Sequence, residues 1–333
     1  MTSTSVITIA VDAMGGDFAP QAVLEGVSIA LAADPSLRVL LVGSADTVEP
    51  FATVNDHCEA VVTSQVIEMG EHPAAAVRGK RDSSIVVGCR LVKEGRADGL
   101  FSAGSTGAAM AAATLVIGRI KGVQRPAIAT VLPTAGAPCV LLDVGANADC
   151  KPEHLAQFAA MGAAYATAAL GIRAPRVGLL NIGEEPGKGS RLAQDAYDLM
   201  VGTPGFVGNV EGRDIPAGTV DVIVTDGFTG NVVLKLMEGM SKHLLGEFKA
   251  ALMSSPVNKV AAAVLKPSLA ALRDKLDPDL HGAAPLLGVD GLALIGHGSS
   301  SPRAIASALR VGAVAVRAGL VDSIAASLGR EGA

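Results

Sequence analysis

The feature that most constrains this chain is a regular alternation. Short, nearly continuous apolar runs such as VITIAV, RVLLV, CVLLDV and VDVIVTD are separated by longer Ala-rich stretches with helical spacing. A run that is apolar at almost every position suits a strand buried on both faces, as parallel strands between two helix layers are. Strands are expected near 6–12, 37–42, 60–67, 98–102, 127–132, 138–143, 176–181, 206–210, 220–225 and 292–295. Helices are expected near 20–33, 83–94, 105–118, 152–170, 189–201, 228–251 and 302–318. This pattern predicts an α/β fold, a doubly wound three-layer α/β/α Rossmann-like sheet. No internal repeat or low-complexity linker divides the chain, so 1–333 reads as a single unit. Residues 252–285 break the rhythm. They read as helix divided by Pro256, Pro267, Pro278 and Pro285, an inserted helical excursion before the last strand.

Composition narrows the function classes. Half of the 333 residues are hydrophobic and 18% are charged, enough for a large core and too apolar for disorder. Aromatics are 3%, Trp is absent and the net charge is -5, so neither a base-stacking surface nor a basic field for nucleic acid is expected. Cys58, Cys89, Cys139 and Cys150 show no CxxC pair and no metal-ligand spacing, which reads as four reduced thiols and no metal site. The N-terminus lacks a basic n-region, and the apolar run Val6–Val11 is too short for a signal sequence. The longest charge-free stretch, Gly99–Gly118, is interrupted by Gly104-Ser105-Thr106-Gly107. A cytoplasmic, non-spanning protein is the expectation.

In open α/β sheets, ligands bind where strand carboxyl ends meet helix N-termini. Six Gly-rich polar junctions fall at such places. Asp12-Ala13-Met14-Gly15-Gly16-Asp17 follows the first strand, and Ser102-Ala103-Gly104-Ser105-Thr106-Gly107 precedes a helix. Asp143-Val144-Gly145-Ala146-Asn147-Ala148-Asp149 leads to Lys151-Pro152, a helix start with proline in its first turn. Asn181 to Ser190 contains GxxxGKG around Lys188, one residue short of a P-loop and with Gly189 where the hydroxyl would stand. Thr225-Asp226-Gly227-Phe228-Thr229-Gly230-Asn231 is the fifth junction. Gly296-His297-Gly298-Ser299-Ser300-Ser301-Pro302 is the sixth, where Ser301 replaces the third glycine of a dinucleotide fingerprint and reads instead as an N-cap. Together they predict a shared cleft rich in backbone donors, suited to phosphate or acyl chemistry in which positioning and electrostatics dominate. The candidate ligand-facing residues are Asp12, Gly15, Gly16, Gly104, Ser105, Thr106, Asp143, Asn147, Asp226 and Thr229, with His297 a candidate acid or base.

The strings AVDAMGGDFAP, SAGSTGA, LLDVGANADCKPEHLAQFA, GLLNIGEEPGKG, TDGFTGNVVLK and GHGSS, taken in order, resemble the bacterial phosphate acyltransferases, from about Ile7 to about Leu320. The resemblance implies transfer of an acyl group from acyl carrier protein to inorganic phosphate, feeding a membrane glycerol-3-phosphate acyltransferase. It also implies a homodimer, and a fold similar to phosphotransacetylases and the isocitrate/isopropylmalate dehydrogenase group. The stretch Ala74–Gly79 is less basic than the family pattern.

On this reading Lys188 neutralises phosphate or the oxyanion, Asn231 donates to the thioester oxygen, and no metal or organic cofactor is needed. No GxSxG elbow is present, so phosphate is expected to attack the thioester directly, without an acyl-enzyme. From Arg78 to Arg125 nine basic residues (Arg78, Lys80, Arg81, Arg90, Lys93, Arg96, Arg119, Lys121, Arg125) face only Asp82, Glu94 and Asp98, a local excess that would steer an acidic carrier protein. Arg78, Lys80 and Arg81 are the expected contacts. Residues 252–280 repeat Val257, Val260, Val264, Leu265, Leu269, Leu272 and Leu276 at helical spacing, broken at Pro267. With Lys249, Lys259, Lys266, Arg273 and Lys275, they read as a contact for an anionic membrane at the inner face of the cell, or for a second subunit.

Overall fold

The computed structural model describes residues 5–275 and 282–329. Eleven strands form one sheet: β1 Ile7–Asp12, β2 Leu37–Gly43, β3 Cys58–Val62, β4 Gly99–Ser102, β5 Ala127–Leu132, β6 Cys139–Leu142, β7 Val177–Leu180, β8 Phe206–Val210, β9 Val222–Val224, β10 Ala284–Leu287 and β11 Leu292–Ile295. Helices α1 Gln21–Ala33, α2 Ala45–Thr53, α3 Pro73–Gly79 and α4 Ser84–Lys93 accompany the first strands. Then come α5 Thr106–Ala112, α6 Pro152–Leu170, α7 Arg191–Met200 and the single turn α8 Asp214–Ala217. The last four are α9 Gly227–Leu252, α10 Pro256–Lys275, α11 Pro302–Arg317 and α12 Leu320–Gly329.

Period-two alternation sends buried side chains to both faces of the sheet. Ile7, Ile9 and Val11 of β1 join one core with α1, α6, α7, α11 and α12, while Ala10 joins a second core with α3, α4 and α5. The three-layer α/β/α expectation is borne out.

The sheet order is β3-β2-β1-β4-β11-β10-β5-β6-β9-β7-β8. It is not parallel throughout, as the apolar runs alone suggested. β10 runs antiparallel to both β11 and β5, and β5 runs antiparallel to β6. Consequently β6, β7, β8 and β9 point opposite to β1, β2, β3, β4 and β11. The reversal was readable. Strands ending at Leu132 and starting at Cys139 are joined by a hairpin-length link, far shorter than a parallel crossover requires.

Other boundaries shift as well. The strand expected at 60–67 is β3, Cys58–Val62. The helix expected at 105–118 is α5 continued by a π-helical turn, Ala113–Ile117. The excursion expected over 252–285 ends earlier, because Ala284 and Pro285 pair with Ile295 and Leu294 in the sheet. Nor does α10 break at Pro267: the helix runs through it. Ala263, whose carbonyl the proline leaves without a donor, is exposed to water.

Candidate functional site

The six junctions fall into two sets of loops, one at each group of strand exits. In the first, at β1, β4 and β11, Asp12 is buried at 3% exposure and its Oδ2 accepts from Ser102 Oγ at 2.7 Å. The backbone N–H of Met14 donates to Asp12 Oδ1 at 3.1 Å. Burial pushes the Asp12 carboxyl above the ordinary carboxylate range, against the pull of Ser84, Ser102 and the Met14 and Gly15 amides. Ser102 Oγ in turn accepts from the Gly104 N–H at 3.1 Å. Gly15 lies so close that a Cβ there would stand 2.7 Å from both Asp12 Oδ2 and the Gly104 nitrogen. Asp17 N–H donates to the Gly298 carbonyl at 2.7 Å, and Gly296 N–H to the Ser102 carbonyl at 2.8 Å, so the third loop is fastened to the other two.

The donors expected here are largely engaged. Gly104 N–H is taken by Ser102, and Ser105 Oγ caps α5 by accepting from Ala108 N–H at 3.4 Å, while Thr106 is exposed. Gly16 takes φ +116°, with its backbone against Ala103 and Gly298. His297 is exposed, and its Nδ1 accepts from the Ser299 N–H at 3.2 Å with Ser299 Oγ at 2.8 Å. That N–H requires the lone pair on Nδ1, so the neutral ring carries its proton on Nε2.

The second set lies at β6, β7 and β9. Asp143 is fully buried, and its carboxylate accepts five hydrogen bonds. Oδ1 takes the N–H groups of Ile128, Gly145 and Ala146 at 3.1, 3.1 and 2.9 Å. Oδ2 takes Asn147 N–H and Asn147 Nδ2 at 2.7 and 2.8 Å. Burial raises its pKa while these donors pull it down. Asp143 and Asn147 thus hold the 143–147 loop, and Asn147 Nδ2 also reaches the Pro126 carbonyl at 2.8 Å.

The N-terminus of α9 sits on this loop. Gly227 N–H donates to the Asn147 carbonyl at 2.7 Å, and a Cβ at Gly230 would stand 1.9 Å from the Asp143 carbonyl oxygen. Asp226 caps the helix, accepting from Thr229 N–H at 2.9 Å and Thr229 Oγ1 at 2.8 Å. Asn231 is exposed beside Gly145, its Cγ 4.0 Å from where a Cβ there would lie. Lys188 is exposed on the β7 loop, which Asn181 Nδ2 fastens through the Lys188 carbonyl at 3.0 Å. Arg125, Lys151 and Lys188 make no ion pair among the described residues.

The structure therefore brings Asp143, Asn147, Asp226, Thr229 and Asn231 together, with Lys188 on the neighbouring strand exit. Asp12, Gly15, Gly16, Gly104, Ser105 and His297 form the other set. Sequence reasoning missed Ser102 as the partner of Asp12, and Arg125 and Lys151 as cations of the second set. Pro126, just before β5, is tied to Asn147, and that strand's place beside β6 is the signal for Arg125.

Lys80 differs from its expected role. Its Nζ is bridged to Glu71 at 2.6 Å and donates to the Val66 carbonyl at 2.7 Å, whereas Arg78 and Arg81 are exposed. Among the described residues no group of three or more His, Cys, Asp or Glu is arranged to hold a metal. No single described helix is long and apolar enough to cross a membrane. The side chains of Leu269, Leu272, Arg273, Lys275 and Leu276 lie outside what is described.

Residues 7–322 match the family described as fatty acid synthesis protein. The chain is 50% identical over 327 residues to a phosphate acyltransferase of Desulfitobacterium hafniense, covering 97% of this chain and 98% of that one. In fold it is similar to a phosphotransacetylase from Streptococcus pyogenes, with TM-score 0.60 at 16% identity over 93% of this chain and 94% of that one. A 4-hydroxythreonine-4-phosphate dehydrogenase from Klebsiella pneumoniae shares the fold at TM-score 0.53 and 13% identity, over 92% and 98% of the two chains.

Proposed function

This chain belongs to the fatty acid synthesis protein family, and we propose from that membership the reaction and the roles of its two loop sets. It is a phosphate acyltransferase, moving a fatty acyl group to inorganic phosphate to give an acyl phosphate. Acyl carrier protein is the donor in this reading. The observation that carries the site assignment is the second loop set. Three exposed cations that make no ion pair among the described residues, Arg125, Lys151 and Lys188, stand on the loops and strand exits of this set, beside the capped start of α9 in this reading.

Phosphate binds against Lys188, and Asn231 donates its amide to the thioester oxygen as negative charge develops there. Phosphate oxygen attacks the carbonyl carbon directly, the tetrahedral intermediate collapses, and the carrier leaves as a thiol. Its proton is the one that the attacking hydrogen phosphate gives up, and His297 supports the departing sulfur by donating a hydrogen bond through Nε2–H. The cysteines are poor candidates for an acyl-enzyme. Burial pushes Cys58 and Cys139 up to about 12 and Cys150 to about 11, and raises Cys89 as well, so thiolate is scarce at neutral pH.

The first set supplies the opposite wall. In this reading Gly104, Ser105 and Thr106 border the same cleft as Lys188 and Asn231.

Helix α9 carries an exposed apolar series at steps of four: Phe228, Val232, Leu236, Met240, Leu244 and Phe248. Val257, Val260, Val264 and Leu265 of α10 are exposed beside it. Such a face calls for cover, which a second subunit and an anionic membrane surface together provide, and an amphiphilic product gives a reason to release it at a bilayer. In this reading the protein works in the cytoplasm, peripheral to the inner membrane face, and hands its product to a membrane glycerol-3-phosphate acyltransferase.

The test is incubation with palmitoyl carrier protein and labelled phosphate. An acid-labile acyl phosphate with one carrier thiol released per turnover is expected. Release of carrier without phosphate, or a trapped acylated serine or cysteine, contradicts direct attack. Faster turnover of acetyl-CoA than of the palmitoyl carrier would point instead to a short-chain phosphotransacetylase. A protein that binds vesicles of anionic phospholipid but turns over neither donor would be a membrane-docking scaffold.

A further inference from the structure

A groove of about 250 Å³ outside both loop sets holds Arg78, Arg81 and Arg90 among Val77, Val86 and Leu115. It lies between α3, α4 and the π-helical turn that follows α5. None of the three arginines makes an ion pair among the described residues. Arg90 is held in place by donating to the Arg81 carbonyl at 2.8 Å. Leu115 is 52% exposed, carried on the π turn, a widened helical turn of the kind found at functional sites. We propose that this groove is the docking surface for the acidic carrier protein, with Leu115 as its apolar anchor and the three arginines as partners for carboxylates. The inference rests on the acyl-carrier reading above and deepens it by naming the surface.

Three features favour this occupant. An apolar centre ringed by guanidinium groups matches an acidic helix presenting one apolar side chain, the arrangement that gives fast, salt-sensitive association. The site is concave, whereas a lipid surface requires a flat or convex apolar face such as that of α9 and α10. Location supplies the third. Helix α3 packs against the start of α5 so closely that a Cβ at Gly107 would stand 2.7 Å from Pro73 Cγ. Leu115 of the groove lies eight residues, about 12 Å of helical rise, beyond Gly107 on the same helical run, so a carrier seated there has the 102–107 loop within the span of its long thioester arm. Lys80 takes no part, because Glu71 and the Val66 carbonyl hold its ammonium.

The experiment compares a palmitoyl carrier protein with palmitoyl-pantetheine as donors to phosphate. The enzymes are the wild type, Arg78→Glu, Arg81→Glu, Arg90→Glu, the triple variant and Leu115→Asp, with Leu115→Ala as the milder change. KM for the carrier donor is expected to rise about tenfold or more in each reversal, with kcat held, while kcat/KM for palmitoyl-pantetheine stays at the wild-type value. Salt should raise the wild-type carrier KM and hardly alter that of the triple variant. An unchanged carrier KM in the triple variant, or equal losses with both donors, overturns the groove. Lost co-sedimentation with vesicles of anionic phospholipid at unchanged carrier KM assigns the arginines to the membrane and also overturns it. A wild type that uses palmitoyl-pantetheine but never the carrier donor refutes the acyl-carrier reading itself, and the groove falls with it.

Discussion

The two loop sets use the same raw material, glycine-rich turns with a buried aspartate, to opposite ends. Around Asp12 the aspartate is bound by hydroxyls and by loop amides, and three loops are fastened backbone to backbone. Around Asp143 one carboxylate gathers four backbone N–H groups and an asparagine amide, and Arg125, Lys151 and Lys188 of this set make no ion pair among the described residues. The first arrangement fixes a shape. The second spends its buried charge on holding a loop, so that exposed Lys188, Arg125 and Lys151 are available to an anion. A buried aspartate near a ligand loop is thus no sign that the carboxylate meets the ligand.

The largest expected effect sharpens that contrast. Lys188→Ala and Asn231→Ala should each lower turnover by about 10²–10³, the usual loss for one oxyanion or phosphate donor. Ser105→Ala, which removes a cap of the first set, should stay within about threefold. Steady-state assays of acyl phosphate formation decide it, and comparable losses in all three would erase the distinction.

Next comes stability. Asp143→Ala removes the acceptor of five donors in the protein interior and should cost about 3 kcal/mol or more in denaturant unfolding. Asp12→Asn keeps an acceptor for Ser102 and should cost about 1 kcal/mol or less at neutral pH. Because burial raises the Asp12 pKa, the folded state binds that proton more tightly than the unfolded chain does. The charge of Asp12 therefore costs stability as pH rises from the ordinary value of 3.8 through the folded value. Relative to wild type, the Asn variant should gain over that window and be level above it. Unfolding curves from pH 4 to 8 test the sign.

The smallest effect belongs to His154, buried at the start of α6, where its Nδ1 accepts the Lys151 N–H at 3.1 Å. Burial first and Arg125 second lower its pKa, so the fold prefers the neutral ring. The unfolded chain then takes up the proton first, and stability is lost as pH falls from 6.5 towards the folded value, by at most about 1.4 kcal/mol per pH unit. His154→Gln should flatten that slope.

Much of the fold was legible because its strands are apolar on both faces. VITIAV and RVLLV became β1 and β2 within a residue of expectation. β10 escaped because APLL is short and contains a proline, which demotes a run as a strand. Helix α2 escaped for a similar reason, carrying Pro50 inside it. The site was legible as positions and less so as roles. Ser301–Pro302 behaves as the cap its sequence suggests, whereas Asp226 and Thr229, expected as ligand-facing residues, cap the start of α9. Lys80 could not be told from Arg78 by charge counting, because its partner Glu71 lies on the preceding loop and only the fold brings them within 2.6 Å. The roles of Asp143 and Asn147 as loop anchors depend on β5 and β6 forming a hairpin, which the short link between them signalled.

The most direct test of the claim that the second set holds the anion is a phosphate titration at saturating acyl carrier, run on Lys188→Ala and Ser105→Ala side by side. The account predicts a phosphate KM raised about tenfold or more, or a kcat lost outright, in Lys188→Ala, and a wild-type phosphate KM in Ser105→Ala. A wild-type phosphate KM and kcat in Lys188→Ala, with the defect appearing in Ser105→Ala instead, would contradict it and move the phosphate to the loops around Asp12.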